Sequence, residues 1–375
     1  MTALLLLTPV AAWLGPLAFA PLVALTGLLT LPSFRVEEAD RPAAIAILVL
    51  VIWAGGSIVW SPYSAKTMLE SSAVKLAAEA VLYGSAIVAA RQANRGDQRR
   101  FLSALVWGMA ALGGVLLVEA ATGAGMYQAL RKAMGDPIRP DLAVKNVAQG
   151  LFVLALLTPI AIVAALRIGA TLLLALPMVA GVIWPSIVFA YDAPLVALGA
   201  SGLAIGLVWA WPRLGPRLLA TFAAIFFLFA PAAVWGARQT GWYQTLQSQV
   251  SASWSQRMTY WCHAQDWIGD HPLRGWGLDA SRMFGPGIQL HPHNSALQIW
   301  LELGLIGAVA AAVLWVAILA GLGRGRRDLT AAACAGSAMA YLTFSAVSFG
   351  VWQEWWLAVG SLACAMGSAV QRQPR

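Results

Sequence analysis

The tightest constraint on this chain is a recurring length. Runs of about 20 mostly apolar residues, separated by Gly, Pro and Arg, follow one another along the whole sequence, and about 20 is the number that carries an α-helix across a bilayer. The candidate segments are 3–14, 16–32, 43–60, 73–90, 101–122, 146–166, 170–190, 193–211, 217–236, 295–320, 329–349 and 351–369. The first two are short and read as a tilted hairpin broken at Gly15-Pro16. The expected fold class is therefore an all-α polytopic integral membrane protein of about 12 transmembrane helices, one transmembrane domain over 1–375. Composition agrees, with 60% of the 375 residues hydrophobic and 11% charged, against about 25% charged in soluble domains. Mean hydropathy is +0.72. This balance excludes a soluble enzyme, a disordered chain and a fibrous protein. The apolar N-terminus has no Lys or Arg ahead of it and no small-residue cleavage site, so it reads as a retained first segment.

The net charge of +8 would suggest nucleic acid in a soluble protein; here topology has the first claim on it, and no nucleic acid is expected as a partner. With both termini in the cytoplasm, 14 of the 24 basic residues fall inside, among them Arg91, Arg95, Arg99, Arg100, Arg213, Arg217, Arg324, Arg326, Arg327, Arg372 and Arg375. Of the ten outside, eight lie in or beside two long connections, 123–145 and 238–294, where the positive-inside rule has little force. Both long connections therefore face outward, and their cations need another explanation. Several Trp residues (Trp53, Trp60, Trp211, Trp235, Trp242) sit at segment ends, as interfacial belts require. Membrane lipids are thus one partner. Cys262, Cys334 and Cys364 form no paired framework, and no Cys/His spacing suggests zinc.

The connection 238–294, between the ninth and tenth helices, holds all four histidines (His263, His271, His291, His293) and Arg238, Arg257, Arg274 and Arg282. Its acids are Asp266, Asp270 and Asp279. Arginine's planar fork matches phosphate oxygens and stays charged at any relevant pH, whereas a hard divalent metal wants clustered carboxylates. The expected ligand is an anion, a phosphate or diphosphate, with no metal and no cofactor; the plainer alternative is arginines snorkelling to lipid headgroups. Pro292 and Asn294 mark a helix start, which puts His293 on the first turn at the water–lipid boundary, where the helix dipole favours a nearby anion and a neutral imidazole. Gly304 and Gly307 allow close helix packing. Glu302 lies inside the span, about 180° around the helix from His293, and is expected to pair with an Arg or position another helix.

His293-Asn294, nine residues, Gly304, two residues, Gly307 resembles the signature of bacterial O-antigen ligases, within the wider O-antigen ligase/polymerase superfamily. Arg257-Met-Thr-Tyr-Trp261 with Asp270-His-Pro-Leu-Arg-Gly-Trp-Gly277 is similar to that family's Arg-x-x-x-Trp and Pro-Leu-x-Gly-x-Gly pattern, and Trp60-Ser-Pro-Tyr63 to another of its features. The text around 275–294 is most similar to alphaproteobacterial members. The resemblance implies a GT-C-like helical fold in the bacterial inner membrane and a periplasmic active site on 238–294. It implies transfer of a glycan from undecaprenyl diphosphate to lipid A-core oligosaccharide, without metal. The alternatives are a polymerase joining lipid-linked repeats, or a transporter of lipid-linked glycan, which would show broken helices or repeats. Carried over by position, His293 is the base or acceptor-orienting residue and Arg257 the diphosphate ligand, with Arg282, Arg274, Arg139, Lys145, His291 and Asn294 as substrate-binding candidates. Where many members carry an Arg near the start of the eighth segment, this chain has Tyr191-Asp192-Ala193, and Arg139, Lys145 or Arg282 is expected to supply the missing charge.

Overall fold

The computed structural model describes residues 1–285, 287–323 and 325–372. Arg324 and Arg375, assigned above to the inner side, lie outside the described residues, as does the side chain of Arg372. Every regular element among the described residues is helical: α1 (Thr2–Leu14), α2 (Phe19–Thr30), α3 (Arg41–Ser57), α4 (Ser72–Gln92), α5 (Arg95–Thr122), α6 (Gly125–Ala133), α7 (Pro140–Ile168), α8 (Ala175–Val188), α9 (Asp192–Ala210), α10 (Leu214–Gln239), α11 (Trp242–Gln249), α12 (Ala252–Asp270), α13 (Ser295–Ala320), α14 (Leu329–Val347) and α15 (Glu354–Arg372). Apolar side chains cannot by themselves make a backbone soluble in lipid. An α-helix satisfies its N–H and C=O groups internally, which is why the apolar runs take this form.

Each of the twelve segments read from hydropathy falls on a helix. Among the described residues, nine helices are long and apolar enough to cross a membrane, while Thr2–Leu14 and Leu172–Val188 are shorter apolar helices. The break at Gly15-Pro16 is present, between α1 and a short 3-10 turn over Pro16–Ala18. α5 begins earlier than its hydropathy, because Asn94 Oδ1 accepts from the Asp97 N–H at 2.9 Å and starts the helix on its charged residues. α10 runs through Pro216, within its first turn, where the missing proline N–H would be unpaired in any case.

α7, 29 residues long, is the axis of one core, packed by α5, α14, α8, α1 and α15. Its middle, from Leu151 to Ala161, is buried almost throughout. A second core joins α10, α12, α13 and α14. The long connection before α13 is not a loop throughout: α11 and α12 occupy much of it, and α12 packs on α10 and α13. The earlier one holds α6. What positions the site is the junction of α12, the start of α13 and the turn between α14 and α15.

Candidate active site

α13 is not one helix. At Gly304 the backbone takes φ 63 and ψ −160, inside an otherwise continuous run. Carbonyls freed by the break are taken up by the 272–277 segment and by α3. The Trp276 N–H donates to Leu301 O at 2.8 Å and the Gly277 N–H to Glu302 O at 2.7 Å. The Leu305 N–H donates to Pro272 O at 2.9 Å, and Trp53 Nε1 to Leu303 O at 2.9 Å. The two backbones touch: a Cβ on Gly304 would lie 2.4 Å from Leu273 O, and one on Gly275 2.4 Å from the Glu302 backbone. The Pro-Leu-x-Gly-x-Gly residues are therefore a plug for a helix break. Gly304 serves that break rather than the close helix–helix packing expected of it.

Glu302 ties the plug down. Fully buried, it accepts from the Asp279 N–H (2.9 Å), Ser281 Oγ (2.6 Å), Gln298 Nε2 (3.1 Å) and Trp352 Nε1 (2.6 Å). No arginine is among these partners, so the expected Arg pair is replaced by four neutral donors. Such saturation offsets the cost of burying a carboxylate. The Trp60-Ser-Pro-Tyr63 stretch joins the same assembly: Ser61 Oγ donates to Leu278 O at 2.7 Å, and Ser57 Oγ accepts from the Leu278 N–H at 2.9 Å.

On this platform stands His293. It lies one residue before the N-cap of α13, not on the first turn, because Asn294 is the cap and its Oδ1 accepts from the Leu297 N–H at 3.0 Å. His293 has φ +53, a left-handed conformation uncommon for a side chain of this kind. Such backbone persists only where its surroundings over-determine it, as at active sites. Its ring is held by Ser348, whose carbonyl lies 2.7 Å from Nδ1. A carbonyl only accepts, so Nδ1 carries the proton and Nε2 of the neutral ring keeps a free lone pair. Burial lowers the His293 pKa, the Ser348 bond opposes this, and the Arg257 charge lowers it further.

His291 completes the pair, its ring centroid 4.3 Å from that of His293. Its Nδ1 accepts the His293 N–H at 3.2 Å, which places its proton on Nε2. That nitrogen lies 3.4 Å from Gln353 Nε2, while Gln353 Oε1 is buried without a partner. Exchanging the amide's oxygen and nitrogen gives both groups a partner, and is the assignment the bonding requires. Burial pushes the His291 pKa down to about 3, helped by the charges of His293 and Arg282.

α12 faces this pair along one side. Trp261 Nε1 donates to Pro292 O at 3.0 Å, and Tyr260 stacks on His293 with ring centroids 6.2 Å apart. Arg257, one turn earlier, lies over Trp254 at 5.0 Å. Among the described residues no carboxylate is within ion-pair distance of it. Burial lowers its pKa, partly offset by Asp192 and Tyr191. Asp192 accepts from Trp254 Nε1 at 3.3 Å, so where an arginine was expected from the resemblance a carboxylate flanks Arg257 without closing a pair.

The other candidates divide. Arg282 is within electrostatic reach of His291, paired with Asp279 at 2.9 Å and lying over Tyr63 at 5.3 Å. Arg274 is exposed over Trp60 at 5.7 Å. Arg139 is turned to Asp141, two residues on, and Lys145 is exposed; no contact described here joins either to His293. His263 and His271 are also elsewhere, His263 beside Gly287 and His271 against Trp276. Among the described residues no three His, Cys, Asp or Glu side chains converge as a metal site would need. Sequence reasoning missed Ser348, Gln353, Trp352, Gln298 and Tyr260. Only Tyr260 had a visible cue, falling inside the Arg-x-x-x-Trp motif.

Helix-start histidine, flanking arginine and plugged helix break together define a class, and comparison with known proteins agrees with it. Residues 191–312 match the family model described as O-Antigen ligase. A Rickettsia conorii protein named "Putative polysaccharide ligase" is 29% identical over 129 residues, which cover 31% of this chain and 31% of that protein. A Rickettsia felis protein of the same name is 28% identical over the same length, and one from Rickettsia bellii is 39% identical over 71 residues, 19% of this chain and 17% of its own. The matches thus span about a third or less of each relative. Over residues 191–312 the chain is thus similar to the O-antigen ligase family.

Proposed function

We propose that this chain is a glycosyltransferase of the bacterial inner membrane that takes a glycan from undecaprenyl diphosphate and joins it to lipid A-core oligosaccharide at the periplasmic face. The fold is read as GT-C-like, with about twelve crossings and the 238–294 connection outside. One observation carries the reading. His293 is held through Nδ1 on Ser348 O at 2.7 Å, which leaves Nε2 as a base within electrostatic reach of Arg257, a half-buried cation with no ion-pair partner among the described residues.

The chemistry then follows. His293 Nε2 takes the proton of an acceptor hydroxyl as its oxygen attacks the anomeric carbon. The bond from that carbon to the diphosphate oxygen breaks, and the lipid diphosphate leaves with added negative charge. Arg257, aided by Arg274, stabilises that charge from positions set before the reaction. No step draws on a metal. The break in α13 does not favour transport, because its freed carbonyls are bonded to 272–277 and to Trp53 rather than lining an open path.

The test is the surface polysaccharide of a deletion strain, resolved on a gel. A ligase loss leaves long polymer on the lipid carrier and bare core, restored by the intact gene and not by His293→Ala. Core capped by single repeats would overturn the reading in favour of a polymerase.

A further inference from the structure

Bordered by Arg282 and Trp352 lies a concavity that the transfer chemistry above does not use. It is a pocket of about 280 Å³, lined by Tyr63, Lys75, Glu79, Arg282, Trp352 and Glu354 among others. It shares two elements with the catalytic platform. Arg282 borders it while its charge reaches His291, and Trp352 borders it while its Nε1 donates to Glu302 at 2.6 Å.

Most of its charges are already spent on each other. Lys75 Nζ pairs with Glu354 at 2.6 Å and Arg282 with Asp279 at 2.9 Å. Glu79 is different. It is 8% exposed and sits within the α4 span. Its Oε1 has one long contact, from the Tyr83 hydroxyl at 3.5 Å, and its Oε2 is buried with no partner. A buried carboxylate oxygen without a donor is costly, by about 1–3 kcal/mol or more. Here it lines a cavity rather than solid packing, so the missing donor can come from a ligand.

The lining also says which donor. Glu70 lines the same pocket, so carboxylates outnumber the cations, and both cations carry a carboxylate. An anion is therefore repelled, whereas hydroxyl or ammonium groups are welcomed. Tyr63 and Trp352 border the same space, with Arg282 lying over the Tyr63 ring at 5.3 Å, so the lining is chiefly polar and suits the hydroxyl groups of a sugar. At about 280 Å³ the space is at the lower end of ligand cavities, about 300–1,000 Å³. That size takes one sugar unit, not an oligosaccharide.

We propose that this pocket is a saccharide subsite that holds one neutral or amino-bearing sugar of the acceptor glycan through Glu79. As an acceptor subsite it rests on the glycan-transfer reading above; as a sugar-binding site it stands alone.

The two are separated by experiment. Full-length protein in detergent is probed by saturation-transfer NMR with methyl β-glucoside, glucosamine and glucuronate, without any donor. Wild type is expected to give signal with the glucoside and the amine and little with glucuronate. Glu79→Gln, isosteric but a poorer acceptor, should weaken binding at least tenfold. Lys75→Met, which frees Glu354, should keep or strengthen glucosamine binding and guards against misfolding of the first variant. Equal signal in wild type and Glu79→Gln, or glucuronate bound as well as glucoside, would overturn the proposal. In a reconstituted transfer assay, Glu79→Gln is expected to raise acceptor KM at least tenfold with donor KM unchanged. Sugar binding without that KM change overturns only the acceptor assignment; absence of all transfer by wild type overturns the reading it rests on and leaves the binding result in force.

Discussion

Two long connections carry cations in this chain, and they use them in opposite ways. In 123–145 each described arginine is turned to an acid close by in sequence, Arg131 to Asp136 and Arg139 to Asp141. These are exposed surface pairs, screened by solvent, and their charge is spent locally. In 238–294 Arg238 and Arg282 are paired with Asp266 and Asp279, but Arg257 and Arg274 lie over Trp254 and Trp60 with no carboxylate at ion-pair distance. An aromatic face holds a guanidinium in place without neutralising it. The same residue type thus closes a loop in one region and offers charge to a ligand in the other. Count and sign of charge do not distinguish them; the neighbour does.

The contrast can be broken most directly at His293. His293→Ala is expected to reduce glycan transfer by about 10²–10⁴-fold, the span of general-base catalysis, in a reconstituted assay; transfer near wild type would remove the base from the mechanism. Next is the charged pair of tests. Arg257→Lys keeps charge and loses the fork, and should cost about 10- to 100-fold, while Arg139→Ala in the other connection should leave the rate within about twofold, as expected of a surface pair. Equal losses would erase the distinction between the two regions.

The helix break gives a stability test. Gly304→Ala must hold a conformation nearly confined to glycine, at a cost of roughly 1–3 kcal/mol, and its Cβ would meet Leu273 O at 2.4 Å. A lowered Tm in detergent is expected, with activity falling in parallel as 272–277 is displaced. An unchanged Tm would mean the plug is dispensable.

Acid should act on both histidines. Their folded pKa values lie below the ordinary 6.5, so the unfolded chain binds more protons and stability falls as pH drops through 6.5. For His291, at about 3, the loss between pH 7 and pH 5 is roughly 2 kcal/mol. His291→Asn should flatten the Tm-against-pH curve over that window. The acid limb of kcat/KM, which reports neutral His293, should lie below 6.5 and move upward in Arg257→Gln, since that removes a charge which lowers the pKa.

Hydropathy located every long apolar helix, because a bilayer demands a length and an apolar surface that can be read residue by residue. It failed where polar or aromatic residues are buried by protein rather than lipid. α12 was read as loop since its residues are mixed, yet its buried Met258, Tyr260, Ala264 and Ile268 pack it to the bundle. The turn 348–353 was nearly invisible between two apolar runs, although it supplies Ser348, Trp352 and Gln353 to the site.

By itself, then, the sequence determined the membrane class, the positions of the long apolar helices, the cationic character of 238–294 and the identity of His293 and Arg257 as the pair to examine. The tertiary structure decided which nitrogen of His293 is free, which arginines remain unneutralised, and that Gly304 breaks α13 around an inserted segment. The physical reason is that a span is specified by one run of residues acting on its surroundings, whereas a proton's position or a charge's availability depends on partners far away in sequence, 279 residues between Lys75 and Glu354.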